Sequence, residues 1–263
     1  MQEKPARWVE PFFVHSFDVN HLGLTTPVTM LKMMQEGAWK HAEALGFGYR
    51  DLKDEGSFWV LSRLQIRISH YPKWGNEFLL ETWPSGAKSL LVSRDFRITD
   101  DDGIAAIATS SWIILDHKTR RPVRPLTVLE KSGPTEMGEL LFGAMAEKVE
   151  LPELSEGDDL WNESPPFMVR ISALDSQGHV NNAKYLEWCL DAFSLEHFNQ
   201  WEIRAATLNF LAETHYGDQI RVRTAEIDDE GSEDRLVTLQ AIASKEGSPV
   251  FSCMLTWQRR VSE

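Results

Sequence analysis

The sequence is poor in cysteine. Cys189 and Cys253 are the only two in 263 residues, both lie inside apolar segments, and no CxxC pair exists. That leaves no material for a disulfide framework and fits buried thiols in a reducing cytoplasm. Long apolar runs are also missing, since none approaches the roughly 18 to 20 residues that span a bilayer. The opening stretch MQEKPARWVEPFFVH has neither the apolar core of a secretory signal nor an Arg/Ser-rich transit composition. A cytoplasmic protein without a membrane partner is expected. Positive charge is scarce, with 27 Lys and Arg against 40 Asp and Glu for a formal charge of −13. Nonspecific nucleic-acid binding needs a positive field, so that class is disfavoured. An acidic protein partner would need a local basic patch.

Several chemical signatures are absent. GxSxG, HExxH, GxGxxG and a phosphate loop do not occur, which removes the serine-elbow, zincin and dinucleotide readings. His15/His21 and His179/His215 stand without a Cys or carboxylate framework at zinc spacing, so no metal is expected. What is present is a 42% apolar fraction with ten Trp and thirteen Phe, enough for a core in one large domain or two ordinary ones.

The chain is written twice. Phe12–Gly23, FFVHSFDVNHLG, reads as a strand, followed by a helical pattern over Thr25–Gly46. Thr26 suits the N-cap, Pro27 the first helical position and Gly46 the helix end. Val28, Leu31, Met34, Ala38, His41, Ala42 and Leu45 fall at helical spacing. Strand-like runs follow, punctuated by Pro72, Gly75, Gly86 and Asp102-Gly103. The second half repeats this order. PFMVRISALD (166–175) reads as a strand and NNAKYLEWCLDAFSLEHF as a helix, with Gly217-Asp218 standing where Gly75-Asn76 stands. The pattern predicts an α+β tandem double hot-dog, each half a curved antiparallel sheet wrapped around a central helix. Expected boundaries are 1–133 for an N-terminal domain, 134–162 for an acidic linker and 163–263 for a C-terminal domain. Within the linker, ELLFGAMAEKVEL is apolar enough to pack on something. A narrow apolar tunnel suited to an aliphatic chain is expected where such halves meet, lined largely by the N-terminal half. Met30, Met33, Met34, Trp39, Phe58, Trp59, Trp83 and Trp112 could line it or be ordinary core.

The stretch LDSQGHVNNAKYLEW sets Asp175, Gln177, His179, Asn181 and Asn182 just before the second helix. In extended backbone, residues i, i+2 and i+4 point one way, so Asp175, Gln177 and His179 could converge. A helix N-terminus beside them offers unpaired N–H groups and a positive dipole end to a carbonyl gaining negative charge. The plainer reading is a cap by Asn181 or Asn182 with the rest in a solvated turn. Glu213, near a strand end in the same half, adds a carboxylate that with an imidazole could activate water.

HVNNAKYLEW, YPKWGNEFLLETWPSGAKSLLVSRDF and DHKTRRPVRP strongly resemble the acyl-acyl-carrier-protein (acyl-ACP) thioesterases of the plant and bacterial type, over about Phe12 to Trp257. The resemblance implies a double hot-dog fold and hydrolysis of the thioester between a fatty acyl chain and carrier-protein phosphopantetheine. It implies no cofactor or metal, because phosphopantetheine arrives as part of the substrate. The family's catalytic aspartate, asparagine, histidine and glutamate fall on Asp175, Gln177, His179 and Glu213. The cysteine often found beside that glutamate is Thr214 here, which favours direct attack by water. Gln177 is one methylene longer than asparagine, and a misplacement of that size near reacting atoms can cost on the order of a hundredfold. Backbone N–H groups at Val180, Asn181 and Asn182 are the expected oxyanion donors. Either Glu213 or Asp175 could be the base. Lys118, Arg120, Arg121 and Arg124 form the densest basic cluster and could steer an acidic carrier protein. Acyl-CoA hydrolysis, non-catalytic acyl binding and a hot-dog enoyl hydratase are the alternatives. The last usually sets Asp and His five residues apart with a proline between, against four and none here. A homodimer is left open.

Overall fold

The computed structural model describes residues 5–125, 137–151, 161–227, 235–244 and 247–260. The chain divides into two compact units, Met1–Ala146 and Glu147–Glu263. Each is a hot-dog: an antiparallel sheet with a helix against one face.

The first unit contains β1 (Trp8–Phe13), α1 (Pro27–Leu45), α2 (Tyr49–Asp54), β2 (Ser57–Ile68), β3 (Glu77–Lys88), β4 (Leu91–Asp100), β5 (Gly103–Asp116) and β6 (Pro122–Val123). Its strands run β1-β3-β4-β5-β2, with β6 on β5. Helix α1 starts as the sequence predicts: Thr26 Oγ1 accepts the Thr29 N–H, Pro27 follows, and Gly46 closes the helix at φ 81°. Its buried side runs from Val28 through Met30, Met33, Met34 and Ala38 to His41 and Leu45. Gly37 lets it approach β3, because a Cβ there would lie 2.6 Å from Leu80 Cδ2. The antiparallel register aligns three rows on the helix-facing side of β4, β5 and β2: Arg94–Ser110–Leu64, Phe96–Ala108–Ile66 and Ile98–Ala106–Ile68. Trp83 is fully buried but on the opposite side, its indole N–H donating to the Glu139 carbonyl at 2.8 Å. Trp39 is 46% exposed. Neither is buried between α1 and the sheet, whereas Met30, Met33 and Met34 are on the buried side of α1.

The second unit holds β7 (Asn162–Glu163), β8 (Phe167–Met168), α3 (Asn182–Leu190), α4 (Leu195–Gln200), β9 (Trp201–Phe210), β10 (Gln219–Ile227), β11 (Arg235–Ser244) and β12 (Pro249–Arg259). The order is β9-β12-β11-β10, with β7 and β8 on β10. Helix α3 is buried through Ala183, Tyr185, Leu186, Cys189 and Leu190. Buried Gln240 on β11 donates to the Cys189 carbonyl at 2.8 Å and so ties the helix to the sheet. Cys189 and Cys253 are free, buried thiols.

Three expectations need correction. Strand β1 ends at Phe13, and residues 14–24 are turns rather than strand. In the repeat, only Phe167–Met168 is strand before a 3-10 turn at Ile171–Ala173. The long second helix is two helices, because α3 ends at Leu190 and Ser194 caps α4 afresh through the His197 N–H. The stretch expected as linker is docked where it is described. The Leu141 N–H donates to Asp95 Oδ2 at 2.6 Å, while the Val149 N–H donates to Asn209 Oδ1 at 2.7 Å. Residues 137–146 thus pack in the first unit and 147–151 in the second; 134–136 and 152–160 lie outside the described residues. Among the described residues, no helix is long and apolar enough to cross a membrane.

Candidate active site

Asp175 folds the turn it begins. Its Oδ1 accepts the Gln177 N–H at 2.8 Å and the His179 N–H at 3.2 Å. Its own N–H donates to the His179 carbonyl at 2.8 Å, and the Gly178 N–H donates back to the Asp175 carbonyl at 3.1 Å. Gly178 sits at φ 82°, where a Cβ would be strained. The segment is therefore a closed loop and not extended, so alternate residues do not share a side. The reason is local: a short carboxylate competes for the N–H groups that an extended strand would offer a neighbour. Asp175 thus orients the backbone at Gln177 and His179. The Gln177 side chain is exposed and makes no hydrogen bond among the described residues.

Beyond the loop, the chain is pinned to the strand end that follows β9. The Val180 N–H donates to the Thr214 carbonyl at 3.1 Å, and His179 pairs with His215 as an isolated antiparallel bridge. The Asn181 N–H donates to the Ala173 carbonyl at 2.9 Å. Asn181 also caps α3, its Oδ1 accepting the Ala183 N–H at 2.9 Å. The expected oxyanion donors change accordingly. Val180 and Asn181 have committed their N–H groups to backbone carbonyls. Of the three, the Asn182 N–H alone has no partner among the described residues, and it lies at the dipole-positive end of α3.

This pinning brings together the two groups with acid–base chemistry. His179 Nε2 lies 3.9 Å from Glu213 Oε2, with the side chains 30% and 31% exposed. That gap is too long for a direct hydrogen bond and suits a shared water. The His215 ring flanks His179, with centroids 5.3 Å apart and planes tilted by 57°. Beneath lies Tyr185 of α3, stacked on Phe251 and edge-on to Phe210 and Trp188. Burial, aided by the Glu213 and Asp218 carboxylates, holds its hydroxyl above the ordinary phenol range, so it stays protonated. The Thr214 hydroxyl is buried without a hydrogen bond of good geometry among the described residues. The Thr214 backbone carbonyl closes the turn by accepting the Val180 N–H.

In the sequence His215 stands only among the histidines without a zinc framework, and Tyr185 only within the second helical pattern. Their place beside His179 follows from strand pairing, which the sequence shows only as the Gly75/Gly217 correspondence. Among the described residues, the metal-type grouping is elsewhere: His70, Asp100 and Asp102 in the first unit, where His70 Nε2 already meets Asp100 Oδ1 at 2.8 Å.

Residues 6–128 match the family model described as the acyl-ACP thioesterase N-terminal domain, and residues 159–259 match the C-terminal domain. The chain is 26% identical over 258 residues to the chloroplastic acyl-[acyl-carrier-protein] hydrolase FATB3 of Cuphea viscosissima, covering 95% of this chain and 62% of the plant protein. Identity to the chloroplastic oleoyl-acyl carrier protein thioesterase 1 of Arabidopsis thaliana is also 26%, over 84% of this chain and 64% of that protein. The chain therefore spans somewhat under two thirds of these relatives. The 12:0-ACP thioesterase of Umbellularia californica shares the fold at a TM-score of 0.82 and 22% identity, covering 98% of this chain and 96% of that one. An acyl-ACP thioesterase from Bacteroides thetaiotaomicron does so at 0.74 and 24%, covering 98% and 100%.

Proposed function

Because the chain belongs to the acyl-ACP thioesterase family, we propose that it hydrolyses the thioester of a fatty acyl chain on carrier protein, releasing the fatty acid and the carrier's thiol. The observation that carries this reading is the His179–Glu213 pair, set 3.9 Å apart beside the N-terminus of α3. In the proposed reaction a water held between them loses a proton to Glu213 as its oxygen bonds to the thioester carbonyl carbon. The carbonyl oxygen gains the negative charge and takes the Asn182 N–H and the helix dipole as its support. Collapse of the tetrahedral intermediate breaks the C–S bond, and the proton taken by Glu213 passes through His179 to the departing thiolate, which restores both groups. Asp175 is a positioning residue, fixing the loop that carries His179. Gln177 faces solvent and is free to meet the pantetheine arm. No metal or bound cofactor enters these steps.

The proposed carrier contact is the basic cluster of the first unit. Lys118, Arg120, Arg121 and Arg124 are all exposed around the β5–β6 turn, which Asp116 holds by accepting the Lys118 and Thr119 N–H groups. Arg120, at φ 56°, lies over the Phe58 ring at 5.1 Å. Acyl-CoA is the second reading, since it presents the same thioester. The test is thiol release from C8 to C18 acyl chains on carrier protein and on CoA, with the native chain and with Arg121→Glu/Arg124→Glu. A carrier-protein enzyme shows a rise in KM on the carrier substrates alone. Faster turnover of acyl-CoA, indifferent to the charge reversal, replaces the carrier with CoA. No release from either substrate removes the hydrolase reading.

A further inference from the structure

Among the described residues, no hydrogen bond holds the ring of His179. Glu213 Oε2 stands off from its Nε2 at 3.9 Å, and Asp175 Oδ1 is engaged by the backbone N–H groups of Gln177 and His179. A catalytic imidazole is ordinarily oriented by a third group bonded to its far nitrogen, and that bond is missing here. With its side chain 30% exposed, the ring would otherwise sample rotamers that carry Nε2 away from Glu213.

Strand pairing supplies a different restraint. The Val180 N–H donates to the Thr214 carbonyl at 3.1 Å, which makes His179 and His215 directly opposed residues that share no hydrogen bond of their own. Side chains approach most closely in antiparallel pairs of this kind. Thr214 is buried between exposed Glu213 and His215, so those two share a side, with His215 straight across from His179 and Glu213 on the diagonal. The His215 ring accordingly stands against the His179 ring, with centroids 5.3 Å apart. His215 is anchored through its backbone. Its N–H donates to Asp218 Oδ2 at 2.8 Å, the Asp218 N–H returns to its carbonyl at 3.2 Å, and Gly217 turns the chain at φ 88°. The ring nitrogens of His215 make no hydrogen bond among the described residues, so the imidazole does not build this turn. The matching bridge of the first unit joins Leu24 to Lys73, and no ring is needed there for the fold.

We propose that His215 is a positioning residue: its ring walls one side of the His179 imidazole and keeps Nε2 turned towards Glu213 and the water between them. Its contribution is contact, and it carries no proton. The inference rests on the reading of His179 and Glu213 as the acid–base pair and adds the group that orients the imidazole. A misplacement of about 1 Å at reacting groups can cost on the order of a hundredfold, so loss of one wall, which only loosens the ring, should cost about tenfold.

The experiment measures thiol release from the best substrate of the C8 to C18 panel, on carrier protein or CoA. Native chain, His179→Ala, His215→Ala, His215→Phe and the double variant His179→Ala/His215→Ala are compared, each melted in parallel. His215→Ala should lower kcat by about tenfold and leave KM within about twofold. Its melt should not change, because the side chain is exposed and the backbone bonds remain. His215→Phe, which keeps a flat ring and loses both nitrogens, should recover kcat to within about threefold. In the His179→Ala background, His215→Ala should cost nothing further, since the ring then has nothing to hold. Native kcat in His215→Ala overturns the proposal, while a crippled His179→Ala beside it leaves the acid–base reading intact. A His215→Phe variant as slow as His215→Ala overturns it in favour of a ring nitrogen that carries a proton. Losses that add in the double variant, with a lowered melt in His215→Ala, overturn it by assigning the ring to the fold. A native rate in His179→Ala, or no release by the native chain, overturns the acid–base reading and the positioning role with it.

Discussion

The two units contain the same turn built with different chemistry. In the first, Asn20 Oδ1 accepts the Leu22 N–H at 2.9 Å and the Leu24 N–H at 3.2 Å. The Asn20 N–H donates to the Leu24 carbonyl, the Gly23 N–H returns to the Asn20 carbonyl, and the Thr25 N–H donates to Pro72. In the second, Asp175, Gln177, Gly178, His179, Val180 and Thr214 make the same bonds in the same order. Both turns end in a capped helix. By this correspondence His179 stands where Leu24 stands, His215 where Lys73 stands and Glu213 where Tyr71 stands. A neutral amide therefore suffices to fold the loop. What the second copy adds is a carboxylate, an imidazole and a second carboxylate facing them, none of which the fold requires.

That contrast can be broken in several ways. The largest effect is expected at His179. His179→Ala should lower thiol release by about 10²- to 10⁴-fold with little change in melting temperature, because the side chain is partly exposed and its backbone bonds survive. The matching Leu24→Ala should leave turnover within a few-fold. Asp175→Asn separates charge from turn-building. Asn20 shows that the amide folds this loop, so the variant should melt as the native chain does, and a loss of turnover of about tenfold or more would assign a role to the charge. Asp175→Ala removes both bonds and should cost about 1–2 kcal/mol of stability, read from denaturant unfolding.

His41, the buried histidine of the first unit, ties stability to pH. Its folded pKa of about 4 lies below its unfolded 6.5, so the unfolded chain takes up the proton first as pH falls. The stabilisation is whole above pH 6.5 and is lost on descending towards pH 4, by up to ~3 kcal/mol. A stability–pH curve should show that loss, and His41→Gln should flatten it. The smallest effect separates the two glycines. Gly23→Ala and Gly178→Ala, at φ 71° and 82°, should each cost roughly 1 kcal/mol, but Gly178→Ala alone should slow thiol release.

The sequence is legible where local physics decides. Thr26, Pro27 and Gly46 mark the ends of α1 because capping and left-handed glycine are properties of a few adjacent residues. The repeat is legible because both halves must supply the same turns. Alternation misplaces Asp175, Gln177 and His179 because it presumes extended backbone, and Asp175 itself bends that backbone. The committed N–H group of Val180 and the partners of His179 are set by pairing with residues more than 30 positions away, and the outward turn of Trp83 by its register with β4, which periodicity does not encode. Arg94 hides for the same reason. Within VSRDF it reads as one charge among several, and only the sheet shows that it turns inward while Asp95 faces the other side.

The most direct test of the division between the two turns is single-turnover thiol release by Glu213→Gln, measured beside its thermal melt. The account predicts a fall of about a hundredfold or more with an unchanged melt, since Glu213 bears on the reacting water and its counterpart in the other turn is Tyr71. Release at the native rate would contradict it, leaving the second turn, like the first, an element of the fold alone.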